Sequence, residues 1–496
     1  MKIINKKIST YLLGAALISS GITGCNKKLE LTPTSIISPE TVFATTSNAM
    51  AAVDGIHKLL YSQWYGNQAN GGQSGNMIWM EVLGEDLVMT AAGNGWFNSE
   101  YKWQSHVSAS ANIVRDNYGM YYAVIGNANL IIANIDNAVG TDEERNFIKG
   151  QAYAYRAWAY YQMVQLYGKR YEKGGNNSGL GISLIVEPSE IAVPRSTVEE
   201  TYTQINQDID EAIRLLSSST ERPHKSHLNI NVAKGIKARV ALTQQNYELA
   251  DQLAKEARTG FSLMDKVQYA AGFSNIENPE WIWGIQHRAD QTTYFYGFFA
   301  YLGNFSSTNT RGNPKAINSL LYSHLSETDI RATLWDPTGK DPDFKIASGG
   351  ARYPYMTQKF VLADASNSAG DLGFMRVAEM YLIEAESKAR LGQDLQAREI
   401  LNELITTRDS EYETNLRGES LIDEILIQRR LELWGEGFRF YDLKRLNLPL
   451  SRLGANHNTT LALVMEVPAG DSRWQFLIPQ GEIDRTLGVV VQNPLN

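Results

Sequence analysis

Two stretches of this sequence repeat the same pattern, and no other feature restricts the possible folds as much. In each stretch a predicted helix and a short polar turn precede a second helix. The second helices carry apolar or small residues at positions i, i+3, i+4 and i+7. The two pairs are 231–243 with 247–258, and 375–391 with 395–407. Since this spacing places one apolar stripe on each helix, both stretches are predicted to form helical hairpins.

Longer segments around these hairpins extend the helical pattern. Three of them are predicted to be helices, 46–65, 113–139 and 143–167. Ser196 with Glu199 forms a capping box that opens another helix. Residues 281–285 are predicted to form a short strand. The predicted fold is mostly α, with tetratricopeptide-like helical hairpins as the scaffold, long inserted loops and a few short strands. Generic amphipathic hairpins would give the same pattern.

The first 25 residues have the features of an export signal. Lysines precede an apolar run over 11–22, which ends in Ile22-Thr23-Gly24-Cys25. A membrane-spanning helix needs about 20 apolar residues, so this run is too short to be one. We expect a lipoprotein signal peptide over 1–24, lipidation of Cys25 and a lipid-anchored tether over 25–45. An ordinary signal peptide that ends near a cysteine is the alternative.

Charge and motifs exclude several classes of function. The chain has 46 basic and 54 acidic side chains, a balance unsuited to coating nucleic acid. Cys25 is the only cysteine, so no disulfide forms within the chain. His224 and His227 are predicted to be solvent-exposed loop histidines, and no metal or cofactor is expected. Asp341 and Asp343 could hold calcium, although a plain acidic turn is the preferred interpretation.

Tyrosine and tryptophan are frequent, with 25 and 10 copies, and several lie in predicted loops with amide side chains. Sugar rings stack on such aromatic faces. One stacked ring buries about 100 Å², worth about 2–3 kcal/mol, so a site needs two or three aromatic platforms. Trp96 is the first choice, although it could instead fill the core. The candidate ligand-binding residues are Trp96, Phe97, Asn94 and Asn98; Trp64, Tyr65 and Asn67; Tyr294, Tyr296 and Tyr301; and Arg352.

Five blocks of sequence occur in a fixed order along the chain. They are the helix from Arg156 to Gly168, Val193-Pro194-Arg195-Ser196-Thr197-Val198, the helix from Arg376 to Glu386, the segment from Arg429 to Arg445, and the tail from Ile478-Pro479 to Gln492-Asn493-Pro494. Together they resemble the motifs of the SusD/RagB family of outer-membrane nutrient-binding lipoproteins. The segment 429–445, with its Arg-Arg-x-Glu-Leu and Glu-Gly-x-Arg elements, is the most specific of the five.

The resemblance implies a non-catalytic protein, anchored by lipid to the outer membrane and exposed at the cell surface. It would bind oligosaccharides and pass them to a SusC-like TonB-dependent transporter. A peptide-binding member on the same scaffold and a surface glycoside hydrolase are alternatives, as is a purely structural adaptor. It also implies an N-terminal SusD-like helical region over 46–275. A C-terminal region with an aromatic loop insertion would follow over 276–496, both within one integrated unit.

The charged side chains of 429–445 also have a structural interpretation. Arg429, Arg430, Glu432 and Glu436 are spaced to pair across helix turns. Arg439 and Asp442 would lock the turn that follows. These residues are predicted to hold the scaffold together rather than to contact ligand.

Overall fold

Helices are the main secondary structure in this computed structural model, which describes residues 39–67, 69–218, 221–287, 297–304, 308–363 and 368–495. The segment predicted to be a signal peptide, and Cys25, lie outside these ranges. The helices are α1 (Pro39–Val42), α2 (Thr46–Leu59), α3 (Gln73–Val82), α4 (Asn98–Tyr101), α5 (Asn112–Asn134), α6 (Asp142–Tyr167), α7 (Val198–Leu216), α8 (Ile230–Thr243), α9 (Tyr247–Ala257), α10 (Lys266–Ala270), α11 (Phe298–Leu302), α12 (Thr308–Arg311), α13 (Ser319–Tyr322), α14 (Val377–Arg390), α15 (Asp394–Ile405), α16 (Gly418–Glu432), α17 (Arg439–Arg445), α18 (Thr459–Ala462) and α19 (Gln480–Arg485). None of the helices in this part of the chain is both long and apolar enough to cross a bilayer.

The longer helices form a row in which each packs against the next. Helix α5 packs on α6, and the order continues through α7, α8 and α9. Helix α9 then packs on α14, so the two hairpins that share a sequence pattern are neighbours in space. Gly150 allows α6 and α7 to approach closely, because a Cβ there would lie 2.8 Å from Leu216 Cγ. The prediction of a mostly α, helical-hairpin scaffold is confirmed.

Short strands attach the inserted segments to this row. They are β1 (Leu87–Met89), β2 (Leu180–Ser183), β3 (Arg195–Thr197), β4 (Trp281–Ile285), β5 (Lys315–Ile317), β6 (Trp335–Asp336), β7 (Met356–Thr357), β8 (Leu372–Arg376), β9 (Leu450–Ser451) and β10 (Glu466–Val467). Strand β4 has the predicted bounds and pairs with β8. The order β1-β5-β7-β6 makes a four-stranded antiparallel sheet that ties the segment 315–357 to the end of α3.

Three predicted helix boundaries are wrong. The capping box belongs to Thr197 and Glu200, whose side chains exchange hydrogen bonds with each other's backbone N–H, while Ser196 lies in β3. Helix α2 ends at Leu59 rather than at 65, because the Leu60 carbonyl accepts from Gln73 N at 2.7 Å and closes a loop. Helix α5 ends at Asn134 rather than at 139, since a 3₁₀ turn follows.

Buried ion pairs join the C-terminal segment to distant elements. Glu432 is 0% exposed and accepts from Arg376 Nη1 at 3.1 Å and Arg408 Nη2 at 3.0 Å. Glu436 accepts from Arg376 Nη2 at 2.7 Å and Lys359 Nζ at 2.8 Å. The predicted pairing across helix turns is therefore wrong for these carboxylates, because basic side chains of other elements bind them and Glu436 lies beyond the end of α16.

The basic residues of the same segment also reach other elements. Arg430 Nη2 lies 2.6 Å from Asp86 Oδ1, and Arg439 pairs with Glu85 rather than with Asp442. Asp442 accepts instead from Arg429 Nε and Arg445 Nε, both at 2.7 Å. Since these groups are mostly buried and link separate elements, the expectation of a scaffold role agrees with the structure.

Candidate functional site

Trp96 lies on a loop whose position is fixed by its neighbour. The Phe97 side chain is 4% exposed, and its ring centroid lies 4.2 Å from that of Tyr301 and 6.5 Å from that of Trp79. Phe97 has a φ of 62° and opens helix α4. Trp96 itself is half-buried against the core, and Asn94 is exposed. The buried Phe97 thus anchors a loop that presents part of the Trp96 ring.

Two predicted ligand platforms are instead parts of the core. Phe97 and Tyr301, which is 2% exposed, offer no open ring face. Lys315 Nζ lies 3.9 Å from the centre of the Tyr301 ring and so covers part of that ring. Asn98 donates from Nδ2 to the Ala92 carbonyl at 3.1 Å and so closes the loop. The expectation that Phe97 and Tyr301 stack on a ligand is wrong in this structure, because apolar packing beneath the loop takes both rings.

Other inserted segments meet the Trp96 loop. A Cβ on Gly93 would lie 2.8 Å from Asn313 Cβ, so the Gly93 backbone packs closely on the Asn313 side chain. Ala351 N donates to the Arg311 carbonyl at 2.6 Å, and Ala347 N donates to the Asn304 carbonyl at 3.2 Å. We call the surface formed by residues 91–98, 303–304, 310–313 and 345–352 the Trp96 face.

Arg352 belongs to the Trp96 face, but much of its hydrogen-bonding capacity is used locally. Its guanidinium donates to the carbonyls of Asp341 at 2.6 Å and Phe344 at 3.2 Å. The side chain therefore closes its own loop. Tyr294 and Tyr296 lie outside the described residues.

The second predicted loop lies beside helix α5. Trp64 is half-buried and donates from Nε1 to the Leu59 carbonyl at 3.0 Å. Asn67 donates to Asp116 Oδ2 at 3.2 Å. Tyr65 is 55% exposed, and the Arg115 guanidinium lies 4.4 Å from the centre of its ring. Among these three predicted residues, Tyr65 is the one with a largely open side chain.

Tyr65 also lines a groove of about 790 Å³, which we call the tyrosine groove. Its floor is the face of α5 that carries Tyr118 and Tyr122, and its walls are formed by residues 183–193 and 479–490. Tyr122 donates to the Ser183 carbonyl at 2.9 Å, and burial raises its pKa to about 12. Within the described residues, the groove lining does not include Trp96, so the predicted site residues are distributed over two surfaces.

The sequence prediction for the histidines is half wrong. His224 is exposed as expected, but His227 is 4% exposed, and its Nε2 lies 3.2 Å from Asp54 Oδ1. Sequence reasoning also missed Tyr118 and Tyr122, although their i, i+4 spacing on a predicted helix was a usable signal.

Comparisons with known proteins agree with this fold. A family model described as starch-binding and associating with the outer membrane matches residues 58–242, and a SusD family model matches 329–495. SusD-like protein P25 of Formosa agariphila is 25% identical over 501 residues, covering 90% of this chain and 91% of its own. SusD-like protein P38 of the same organism is 24% identical, covering 92% and 94%.

Solved structures are similar over the same length. A SusD-like carbohydrate binding protein from Bacteroides vulgatus has a TM-score of 0.79 at 26% identity, covering 90% of this chain and 97% of its own. A laminarin binding SusD-like protein has a TM-score of 0.71 at 20% identity, covering 91% and 100%. The fold and these matches define the class as SusD-like, a class whose family model is described as starch-binding and associating with the outer membrane. The chain belongs to the SusD/RagB family.

Proposed function

We propose that this protein is a non-catalytic lipoprotein of the cell surface that binds an oligosaccharide on the Trp96 face. The observation that carries the proposal is the anchored Trp96 loop. Phe97 is fixed in the core, so the adjacent indole is held in place before ligand arrives. Pre-ordering a platform reduces the entropy lost on binding. The family, and the laminarin-binding relative within it, support a glycan as ligand.

One platform is not sufficient for useful affinity. Stacking on a single ring contributes about 2–3 kcal/mol, whereas a millimolar dissociation constant already needs about 4 kcal/mol. Asn94 in the same loop and Arg311, in the segment whose Asn313 side chain packs on Gly93, are exposed polar residues of the Trp96 face. We therefore expect a ligand that spans several sugar units across the Trp96 face.

Gel electrophoresis through embedded polysaccharides tests the ligand class. Laminarin, starch, xylan and other glycans are each cast in a gel, and retardation of the protein identifies binding. We expect retardation by at least one polymer, and no new reducing ends when the same polymer is incubated with the protein. Release of reducing sugar would contradict a purely binding function and would identify the protein as a glycoside hydrolase.

A peptide is the second candidate ligand, and the tyrosine groove favours it. The groove combines tyrosines with side chains of both charge signs, including Arg115 and Glu187, as a peptide with mixed side chains would require. Titration of a mixed tryptic peptide pool, followed by mass spectrometry of the retained fraction, separates this candidate from a glycan. Retention of peptides without retardation by any polysaccharide would favour the peptide.

Delivery to a TonB-dependent transporter completes the proposal. It rests on the family resemblance and on the expected lipid anchor at Cys25. Gentle solubilisation of outer membranes, followed by purification of the tagged protein, should bring down a SusC-like transporter. The Cys25→Ser variant, which cannot accept lipid, should leave the membrane fraction. Recovery of the wild type without any transporter would contradict the partnership.

A further inference from the structure

A carboxylate and two histidines converge between helix α2 and the turn before α8. Asp54 and His57 lie three residues apart on α2, so both point to the same side of the helix. His224 and His227 lie in a turn that is closed by a hydrogen bond from His227 N to the His224 carbonyl at 3.1 Å. The fold thus brings two short polar pairs, distant in sequence, against each other.

The distances suit a small metal ion. One ligand atom each from Asp54, His57 and His227 lies within 4.8 Å of the other two. Asp54 Oδ1 is 3.2 Å from His227 Nε2 and 4.0 Å from His57 Nε2. Zinc bonds of about 2.0–2.1 Å in a tetrahedron place neighbouring ligand atoms about 3.3 Å apart. The cluster therefore needs only a small contraction to hold such an ion.

The buried side of the cluster is oriented as a metal ligand requires. His57 is 6% exposed, and its Nε2 has no hydrogen-bond partner among the described residues. Its Nδ1 contacts the Tyr155 hydroxyl, which donates to the Ser226 carbonyl at 3.4 Å. When His57 carries its proton on Nδ1, it donates to the Tyr155 oxygen, and the lone pair on Nε2 faces Asp54.

A metal ion binds the neutral form of an imidazole, through a nitrogen that carries no proton. The hydrogen bond between Tyr155 and His57 Nδ1 fixes the orientation of the His57 ring, as hydrogen bonds to the second nitrogen of a histidine ligand commonly do.

We propose that Asp54, His57 and His227 bind a divalent transition metal ion, with zinc as the best fit. Two imidazoles and one carboxylate are ligands typical of zinc, and a calcium or magnesium site would be built from oxygen atoms instead. Asp54 leaves the cluster open to solvent, because its side chain is 58% exposed. Water completes the tetrahedron there, or His224, whose ring centroid lies 6.1 Å from that of His227.

The ion would join two parts of the row of helices. It would tie the last turn of α2 to the turn that precedes α8. Helix α2 leads directly into the loop that carries Trp64 and Tyr65. Metal binding is therefore expected to stabilise the start of that loop.

Titration of the full chain, free of any affinity tag and stripped with EDTA, tests the proposal. Calorimetry with zinc chloride should show one equivalent bound at micromolar affinity or tighter. Cobalt chloride should give the strong visible absorption of a tetrahedral Co²⁺ ion. Asp54→Asn and His227→Gln should each weaken binding at least tenfold. Tyr155→Phe should weaken it by about tenfold, because it leaves the ligands in place and removes only their orienting group.

His324→Gln is the matched control, since His324 is an exposed histidine outside the cluster. It should bind zinc as the wild type does. The proposal is overturned if the wild type takes up no zinc, if cobalt gives only the weak spectrum of an octahedral ion, or if Asp54→Asn binds as tightly as the wild type. Thermal melting of each variant without metal shows that it is folded. The cobalt spectrum of the wild type decides the matter even if His227→Gln does not fold.

Discussion

Replacing Glu432 by glutamine removes the charge at the centre of the buried ion-pair network. Burial alone would raise the pKa of Glu432, but the guanidinium groups of Arg408, Arg376 and Arg331 hold it well below its usual range. Removing one partner of a buried ion pair typically costs about 3–5 kcal/mol. Each arginine keeps a second carboxylate, so we expect the low end, about 3 kcal/mol. Those carboxylates are Glu280, Glu436 and Asp329.

Thermal unfolding followed by circular dichroism measures this loss. At about 2 cal/mol/K of unfolding entropy per residue, a unit of this size unfolds with about 1 kcal/mol/K, so the melting temperature should fall by about 3 °C. Asp423→Asn removes one negative charge from an exposed position of the same helix and should change it by less than about 0.5 °C. Equal melting temperatures for Glu432→Gln and the wild type would refute the reasoning.

The same network gives a pH dependence for the wild type. The folded-state pKa of Glu432 is lowered, so its contribution to stability is present above the ordinary carboxyl pKa of 4.5. That contribution is lost as the pH falls below 4.5 toward the folded-state value. Glu432→Gln should therefore lose less of its remaining stability than the wild type does over that acidic range.

Three further changes have defined outcomes. Burial raises the pKa of Glu81 from 4.5 to about 8, so its contribution to stability is full below pH 4.5 and is lost as the pH rises through 8. Glu81→Gln should remove that loss. If the melting temperature of Glu81→Gln falls between pH 4.5 and 8 as steeply as that of the wild type, the raised pKa of Glu81 is contradicted. Arg439→Lys keeps the charge but loses the two-nitrogen contact with Glu85, so the free energy of unfolding should fall by about 1–2 kcal/mol. Thermal unfolding measures this loss, and an unchanged melting temperature would contradict it. Trp96→Ala should weaken glycan binding at least tenfold while the melting temperature stays close to that of the wild type, because the ring is only half-buried.

The elements that the sequence predicted well are those specified by neighbouring residues. The second hairpin helices, 247–258 and 395–407, end within two residues of the predicted positions, because their apolar spacing and turns are local. Strand β4 has its predicted bounds for the same reason. Predicted helix ends are wrong where a contact with a residue distant in sequence determines them. Helix α2 is an example, because the Leu60 carbonyl accepts from Gln73 N.

The functional surfaces were harder to predict, since their geometry depends on contacts between distant residues. Trp96 and Phe97 are adjacent aromatics in one glycine-rich loop, and no local pattern says which of them turns inward. Packing against Tyr301, far along the chain, decides it. The burial of His227 was missed for the same reason, because its neighbours Asp54 and His57 come from the first long helix, which is distant in sequence.

Calorimetric titration of the wild type and Trp96→Ala with a glycan that retards the protein tests the central claim most directly. Tyr65→Ala serves as the matched control, because it removes an exposed aromatic ring from the tyrosine groove. The account predicts that Trp96→Ala loses at least tenfold in affinity, about 1.4 kcal/mol or more, and that Tyr65→Ala binds as the wild type does. Unchanged binding by Trp96→Ala, with binding lost in Tyr65→Ala, would contradict it and place the ligand in the tyrosine groove.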